Sequence, residues 1–179
     1  RAPAQKDLLT GLADYLIEHE IQGERYSDPS RAPSTEIGRI TQQDLSQVQT
    51  LLRGLVDNPQ LLASYFGNYI SHAKHELDAT EPDPHYQADE IAEYLEEGSV
   101  LQRLGGLRCM YHQADADADI QLFINGMTIR VPATEIVTVQ LLTEHTILNT
   151  EQVLHFVSSP ERLETLTGLI NLGYWYFIE

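Results

Sequence analysis

The chain has 179 residues, with 11 basic and 27 acidic side chains and a formal charge of −16. Its 42% apolar content is ordinary for a globular protein and argues against wholesale disorder. No apolar run approaches the roughly 20 residues of a membrane span. The strong acidity disfavours non-specific nucleic-acid binding, because phosphate contacts need clustered Lys and Arg, and favours a basic partner. Cys109 is the single cysteine and cannot form an intrachain disulfide, so we expect a soluble cytoplasmic protein.

Three helices are predicted in the first part of the chain. Apolar residues at three- and four-residue spacings predict the first over Lys6 to Glu20, with Gly23 as a left-handed cap. Residues 24–40 contain two prolines and no period, which is typical of an extended arm. Thr41, with an acid three residues on, predicts the start of the second helix, and Pro59 that of the third. The apolar stripes are wide for three short helices, so we expect part of this surface to face another domain or another copy of the chain.

The second part of the chain changes character after a proline-rich acidic linker, Asp78 to Tyr86. From residue 85 onward there are 4 basic and 14 acidic residues, a net charge of −10. A short helix is predicted over Asp89 to Glu97, followed by strands on either side of Gly105 and Gly106. The alternation around Asn125-Gly126 predicts a β-hairpin with a type I′ turn.

Helical patterns resume after Pro132, and the aromatic C-terminus predicts a last strand. A few helices with a small antiparallel sheet and a hairpin describe a winged-helix-like domain. The fold class is therefore predicted as α+β and mainly helical. The helices are predicted over Glu135 to Thr143, Glu151 to Val157 and Pro160 to Asn171. For the last of them, Ser159 is the predicted N-cap, Pro160 opens the first turn and Gly173 closes the helix.

Two short motifs imitate metal sites. His72 and His75, three residues apart on a predicted helix, could share a zinc ion, but no third ligand has a fixed spacing to them. "DADAD", which ends at Asp119, begins like a calcium-binding loop. Its sixth position is Ile120 and its twelfth is Gly126, where Gly and Glu are required. A polar helix end and a solvated acidic loop are the favoured interpretations.

Other chemistry is not supported by the residue pattern. None of the seven histidines is followed two residues later by an acid, so the chain lacks the His-x-Asp/Glu signature of non-haem iron oxygenases. Cys109 lies in a strand alternation and is expected to be structural. The basic residues of the second part are too few for duplex readout, so no DNA partner is predicted. They are Arg103, Arg108, Arg130 and Arg162.

Several blocks of sequence resemble the bacterial ribosomal oxygenases, JmjC-type members of the cupin superfamily, along essentially the whole chain. The blocks are "GLADYLIEHE", "YSDP", "FGNYISHAKHELD", "YQADEI", "RLGGLR" and "NLGYWYFIE". The resemblance implies that the chain is the C-terminal half of such an enzyme. A catalytic barrel holding Fe(II) and 2-oxoglutarate would precede Arg1-Ala2-Pro3. The parent would hydroxylate a ribosomal protein, with arginine as the expected target, while this fragment alone would carry no catalytic, cofactor-binding or metal residue.

The resemblance also implies a division of the fragment. Residues 1–80 would form a helical dimerisation region, 81–86 a linker, and 87–179 the winged-helix-like domain. The expected partners are a second copy of the chain and a basic ribosomal protein, with no DNA and no membrane. An alternative hypothesis is a stand-alone acidic module that binds a basic protein. The residues predicted to serve helix packing and dimer contact are Leu12, Tyr15, Leu16, Leu51, Leu55, Leu62, Phe66 and Tyr69.

Overall fold

The structure is a computed structural model that describes residues 2–27 and 38–178. The predicted α+β, mainly helical class is confirmed. The helices are α1 (Gln5–Glu18), α2 (Gln42–Val56), α3 (Pro59–Ser71), α4 (Ala88–Glu96), α5 (Ile136–Glu144), α6 (Thr150–Val157) and α7 (Pro160–Asn171), with a 3-10 turn at Ala133–Glu135 before α5. The strands are β1 (Val100–Arg103), β2 (Cys109–His112), β3 (Ile120–Ile124), β4 (Met127–Val131), β5 (Ile147–Leu148) and β6 (Trp175–Ile178).

The chain divides into two compact units, Arg1–Phe66 and Gly67–Glu179, here called unit 1 and unit 2. Their boundary falls inside α3, because the last residues of this helix make their contacts with the β-hairpin of unit 2. The division into 1–80, 81–86 and 87–179 stays a prediction for the intact protein. No helix within residues 2–27 and 38–178 has both the length and the apolarity needed to cross a bilayer.

Unit 1 has a thin core. Leu12 of α1 and Tyr65 of α3 are its buried apolar residues among those described. The Tyr65 hydroxyl donates to the Leu8 carbonyl at 2.6 Å, and its ring lies 5.8 Å from that of Tyr15. These contacts hold α1 against α3 and bury few other apolar side chains.

The start of α2 confirms the predicted cap. The backbone N–H of Asp44 donates to the Thr41 hydroxyl at 3.2 Å, and the Thr41 N–H donates to the Asp44 carboxylate at 2.7 Å. The Tyr26 hydroxyl donates to the same carboxylate at 3.0 Å. The predicted cap at Gly23 is wrong. α1 ends at Glu18, and Glu20 adopts the left-handed conformation with φ 50°. Much of the predicted arm, residues 28–37, lies outside the described residues.

Unit 2 contains two three-stranded antiparallel sheets, in the orders β5-β1-β6 and β2-β3-β4. The predicted hairpin is β3–β4, with Ile120 opposite Val131 and Ile124 opposite Met127. Its turn has φ 47° at Asn125 and 81° at Gly126, both positive as a type I′ turn requires. β5 has only two residues and was not predicted, because a strand this short has no period of its own.

The core of unit 2 lies between the β5-β1-β6 sheet, the β-hairpin and helices α4 to α7. Trp175 of β6 and Phe156 of α6 are fully buried at its centre. α7 spans the predicted residues and ends as predicted at Gly173, whose φ is 69°. The other fully buried large side chains of unit 2 include Ile91, Leu95, Leu101, Phe123, Leu142, Leu148 and Leu166.

Two glycines of unit 2 provide a matched test of this packing. A Cβ on Gly67 would overlap the ring of Phe123, whereas a Cβ on Gly168 of α7 would meet no atom within 4 Å. We expect Gly67→Ala to destabilise unit 2 by about 1–3 kcal/mol through overpacking. Gly168→Ala should stabilise it by about 0.5–1 kcal/mol, because alanine is the better helix former. Urea unfolding followed by circular dichroism measures both, and equal effects would contradict the close approach at Gly67.

Candidate functional site

The turn of the β3–β4 hairpin is fastened to the C-terminal end of α3. Asn125 Oδ1 accepts from the Ala73 N–H at 3.1 Å, and Asn125 Nδ2 donates to the Tyr174 hydroxyl at 3.0 Å. The Gly126 N–H donates to the Ser71 hydroxyl at 3.1 Å, and the Asn68 amide donates to the Gly126 carbonyl. This turn is therefore an internal contact, unlike the projecting wing with which some winged helices touch a nucleic acid.

The opposite end of the sheet carries the acidic loop. Asp115, Asp117 and Asp119 are all exposed. The Asp117 N–H donates to Asp115 Oδ1 at 3.2 Å, and the Gln113 amide donates to the Ala116 and Ala118 carbonyls at 3.2 and 3.0 Å. The loop is held by its own turn bonds, and its carboxylates face solvent.

Most arginines of unit 2 are engaged inside the unit. Arg103 donates to the Leu142 and Thr143 carbonyls at 3.0 and 3.2 Å, and Arg108 donates to the Ile70 carbonyl at 3.2 Å. Arg162 pairs with Glu135, leaving Arg130 on the exposed side of β4. Guanidinium groups committed in this way are poorly placed to hold phosphates.

A bidentate ion pair joins the start of α5 to α7. Arg162 Nε and Nη2 donate to the two Glu135 carboxylate oxygens at 2.6 and 2.9 Å, and the Thr138 hydroxyl donates to Glu135 Oε2 at 2.7 Å. These bonds lower the pKa of Glu135 from its usual value of 4.5 to about 2, and the bond from Arg162 has the largest effect. A bidentate pair of this geometry fixes both position and angle, so it acts as a clamp between the two helices.

His155 of α6 completes the same cluster. Its Nε2 lies 2.9 Å from the Thr138 hydroxyl oxygen. Because that hydroxyl gives its one proton to Glu135, it can only accept from His155, which assigns the imidazole proton to Nε2. Burial, with a smaller contribution from Arg162, lowers the pKa of His155 and favours this neutral form. The cluster has the composition of a proton-transfer site, but each polar atom described above already has a partner within it.

The two histidines of the first metal-like motif lie outside a helix. α3 ends at Ser71, so the prediction of His72 and His75 on one helical face is wrong. Both line a cavity of about 510 Å³ together with Lys74, Glu76 and Tyr174. Within residues 2–27 and 38–178, no group of three or more His, Cys, Asp and Glu side chains has the arrangement of a metal site. The described residues therefore do not fit an iron centre, and we assign none to them.

Cys109 of β2 is half-buried beside Arg103. Burial raises the pKa of its thiol, and the neighbouring guanidinium only partly opposes this shift. A thiol held in its protonated form is a poor nucleophile. This favours the structural role expected for it from the sequence.

The residues predicted for dimer contact differ in exposure. Leu12 is buried, and Phe66 is 45% exposed. The other six are half-buried: Tyr15, Leu16, Leu51, Leu55, Leu62 and Tyr69. Their role in a dimer stays a prediction.

An exposed apolar stripe on α2 of unit 1 is absent from that predicted set. α2 turns four apolar side chains of one stripe outward: Leu45, Val48, Leu52 and Val56, which are 54%, 45%, 61% and 39% exposed. The sequence shows the amphipathic period clearly, but it cannot show which half of a wide stripe its own chain covers. Leu51 and Leu55 lie on the covered side, and this outward stripe of α2 lies on the other.

Known proteins are similar to this chain over almost its whole length. A family described as the ROXA-like winged helix matches residues 52–176. The ribosomal protein uL16 3-hydroxylase of Escherichia coli K12 is 34% identical over 177 residues, which cover 99% of this chain and 45% of that protein. The chain thus spans about half the length of this curated relative.

Solved structures give the same result. The crystal structure of YcfD from E. coli superposes with a TM-score of 0.87 at 34% identity, over 99% of this chain and 46% of that one. The structure of YcfD, a ribosomal oxygenase, in complex with cobalt and 2-oxoglutarate also gives 0.87 at 34% identity, over 100% of this chain and 47% of that one. The winged-helix fold and the resemblance to ribosomal oxygenases are confirmed.

The clamp between α5 and α7 predicts a pH-dependent stability. Because the pKa of Glu135 is depressed in the folded state, its contribution is fully present above pH 4.5 and is lost as the pH falls from 4.5 towards 2. At pH 7, Glu135→Gln should lower the Tm of unit 2 by about 2–6 °C, allowing for partial exposure of the pair. The difference from the unmodified chain should shrink below pH 4.5.

Thermal unfolding followed by circular dichroism between pH 7 and pH 3 measures this effect. Glu164→Gln is the matched control, since Glu164 lies exposed in the middle of α7. A Tm difference for Glu135→Gln that stays constant over this pH range would refute the clamp.

Proposed function

Because the chain belongs to the ROXA-like winged-helix family, we propose that it is the C-terminal, non-catalytic part of an Fe(II)- and 2-oxoglutarate-dependent oxygenase that hydroxylates a ribosomal protein at an arginine. The observation that carries this proposal is the 34% identity, over 99% of the chain, to a uL16 3-hydroxylase. A solved relative that holds cobalt and 2-oxoglutarate supports the metal and cosubstrate of the parent enzyme. In this proposal the substrate-modifying chemistry belongs to the rest of that enzyme.

The role proposed for unit 1 is homodimerisation. The outward stripe of α2 exposes four apolar side chains on one helical face, and Leu9 and Ile17 of α1 are 56% and 76% exposed. Contiguous apolar patches on a folded surface are typical of interaction sites. An isologous contact between two such helices would let each stripe cover the other.

The role proposed for unit 2 is a rigid acidic platform beside the catalytic part. Its net charge of −10 from residue 85 onward would attract a basic ribosomal protein and would repel RNA. We place the enzyme in the cytoplasm, where ribosomal proteins are made and assembled.

Hydroxylation is tested with the full-length protein that contains this chain. The purified enzyme is incubated with Fe(II), 2-oxoglutarate and the ribosomal protein uL16 from the same organism. Mass spectrometry should find one added oxygen atom on an arginine, with one succinate formed per hydroxylation. The control omits 2-oxoglutarate. If uL16 stays unmodified although Fe(II) and 2-oxoglutarate are present, uL16 is not the substrate. If the added oxygen lies on another residue type, the proposed arginine target is wrong.

Dimerisation is tested with a substitution on the outward stripe of α2. Leu52→Glu places a charge at its most exposed position, so the dimer should weaken at least tenfold, because a buried unpaired carboxylate is costly. Thr50→Glu is the matched control, since Thr50 is exposed on the opposite side of the same helix and introduces the same charge. Sedimentation velocity at tens of micromolar measures the effect. A chain that is monomeric without any substitution would exclude the dimer.

A further inference from the structure

Three aromatic rings form a partly open cluster at the edge of unit 2. Phe177 of β6 lies 5.8 Å from Tyr86 and 5.3 Å from Tyr94 of α4, measured between ring centroids, and the two tyrosine rings lie 6.0 Å apart. All three pairs are tilted or edge-on. Tyr94 is 43% exposed, while Tyr86 and Phe177 are half-buried against the core. Part of the Tyr94 side chain is therefore accessible to a ligand.

The cluster is held in place by a specific polar contact. The Tyr86 N–H donates to Asn171 Oδ1 at 2.9 Å, and Asn171 Nδ2 donates back to the Tyr86 carbonyl at 3.0 Å. This paired contact fixes the backbone beneath the Tyr86 ring to the last residue of α7. Phe177 is fixed by the pairing of β6 with β1, opposite Leu101. A ligand would thus meet a preformed surface and would lose little affinity to ordering it.

Carboxylates flank the exposed ring. Glu90 and Glu97 lie four residues before and three residues after Tyr94, so they share its helical face, and Glu93 is next to it in the chain. All three are exposed. α4 contains no Lys or Arg, and Arg103 and Arg162 are bonded to other parts of unit 2. We call Tyr86, Tyr94 and Phe177 with Glu90 and Glu97 the aromatic–acidic surface.

The chemistry of this surface selects a cation with a flat face. An aromatic ring attracts a cation above its plane, and a guanidinium stacks on such rings better than an ammonium does. Carboxylates beside the ring can accept paired hydrogen bonds from the N–H groups of the guanidinium. We propose that the aromatic–acidic surface docks an arginine-bearing, extended segment of a basic protein. The identification of that protein as the ribosomal substrate rests on the proposed function.

The test titrates the 179-residue chain into a fluorescein-labelled arginine–glycine repeat peptide at low salt, with fluorescence anisotropy as the readout. Tyr94→Ala should weaken binding by about two- to fivefold. Tyr94→Phe, which keeps the ring, should bind like the unmodified chain. The double variant Glu90→Gln with Glu97→Gln should weaken binding at least as much. It should keep the start of α4, because the side-chain oxygen of a glutamine at position 90 can still accept from the Gln87 N–H. A lysine–glycine peptide should bind more weakly than its arginine counterpart.

The matched control removes the same charge elsewhere. Asp117→Asn with Asp119→Asn alters two exposed carboxylates of the acidic loop and should leave binding within twofold. Equal losses from the two double variants would mean diffuse attraction to an acidic protein and would overturn the proposal. No measurable binding, or an unchanged affinity for Tyr94→Ala, would overturn it as well. Circular dichroism checks that each variant is folded.

A second readout separates this inference from the proposed function. In the full-length enzyme, Tyr94→Ala should raise the KM for uL16 by about two- to fivefold and leave kcat unchanged, because a contact that only docks the substrate stabilises the bound ground state and the transition state equally. Peptide binding without any uL16 hydroxylation would reject the proposed function alone. Hydroxylation with an unchanged KM, together with unchanged peptide binding, would reject the aromatic–acidic surface alone.

Discussion

The attachment of the Asn125-Gly126 turn to the end of α3 is the constraint on which unit 2 depends. Four hydrogen bonds converge on two residues of the turn, from Asn68, Ser71, Ala73 and Tyr174. They satisfy backbone groups that the end of a helix and a tight turn would otherwise leave unpaired. They also place Gly67 against Phe123, where no side chain would fit. The hairpin, the end of α3 and the segment before β6 are thereby joined at one point.

Charge is distributed on this framework in a consistent way. Arginines that could have formed a basic face are turned inward, onto carbonyl groups or onto Glu135, while carboxylates occupy α4 and the loop after β2. The cost of ordering the long arginine side chains is offset by bonds that fix neighbouring elements. A winged helix arranged in this way presents an anionic surface to solvent, which suits the recognition of cationic polypeptides. The net charge of this part of the chain thus has the sign opposite to that of a surface that binds phosphates.

Local sequence signals were enough to predict the elements whose own residues mark where they begin, turn or end. Asn-Gly between alternating residues gave the hairpin, and Ser159, Pro160 and Gly173 gave both ends of α7. Local sequence signals failed where the structure depends on a contact between residues far apart in the chain. The third helix stops before His72 because the Ala73 N–H bonds to Asn125, 52 residues away. The clamp between Glu135 and Arg162, 27 residues apart, has no local signature, and neither has the aromatic cluster, which brings Tyr86 to Phe177. Which side of the α2 stripe is covered is likewise a property of the packed unit.

The same turn has a chemical consequence for the lifetime of the protein. Asn-Gly is the dipeptide most prone to deamidation, in which the following backbone nitrogen attacks the asparagine side-chain carbonyl and ammonia leaves. Here that nitrogen is occupied by Ser71, and the side-chain amide is held by Ala73 and Tyr174. Ring closure must therefore wait for local opening of the anchor. Conversion to aspartate would add a negative charge and remove the donor to Tyr174. The rate of deamidation at Asn125 therefore depends on how often the hydrogen bonds that hold this turn open.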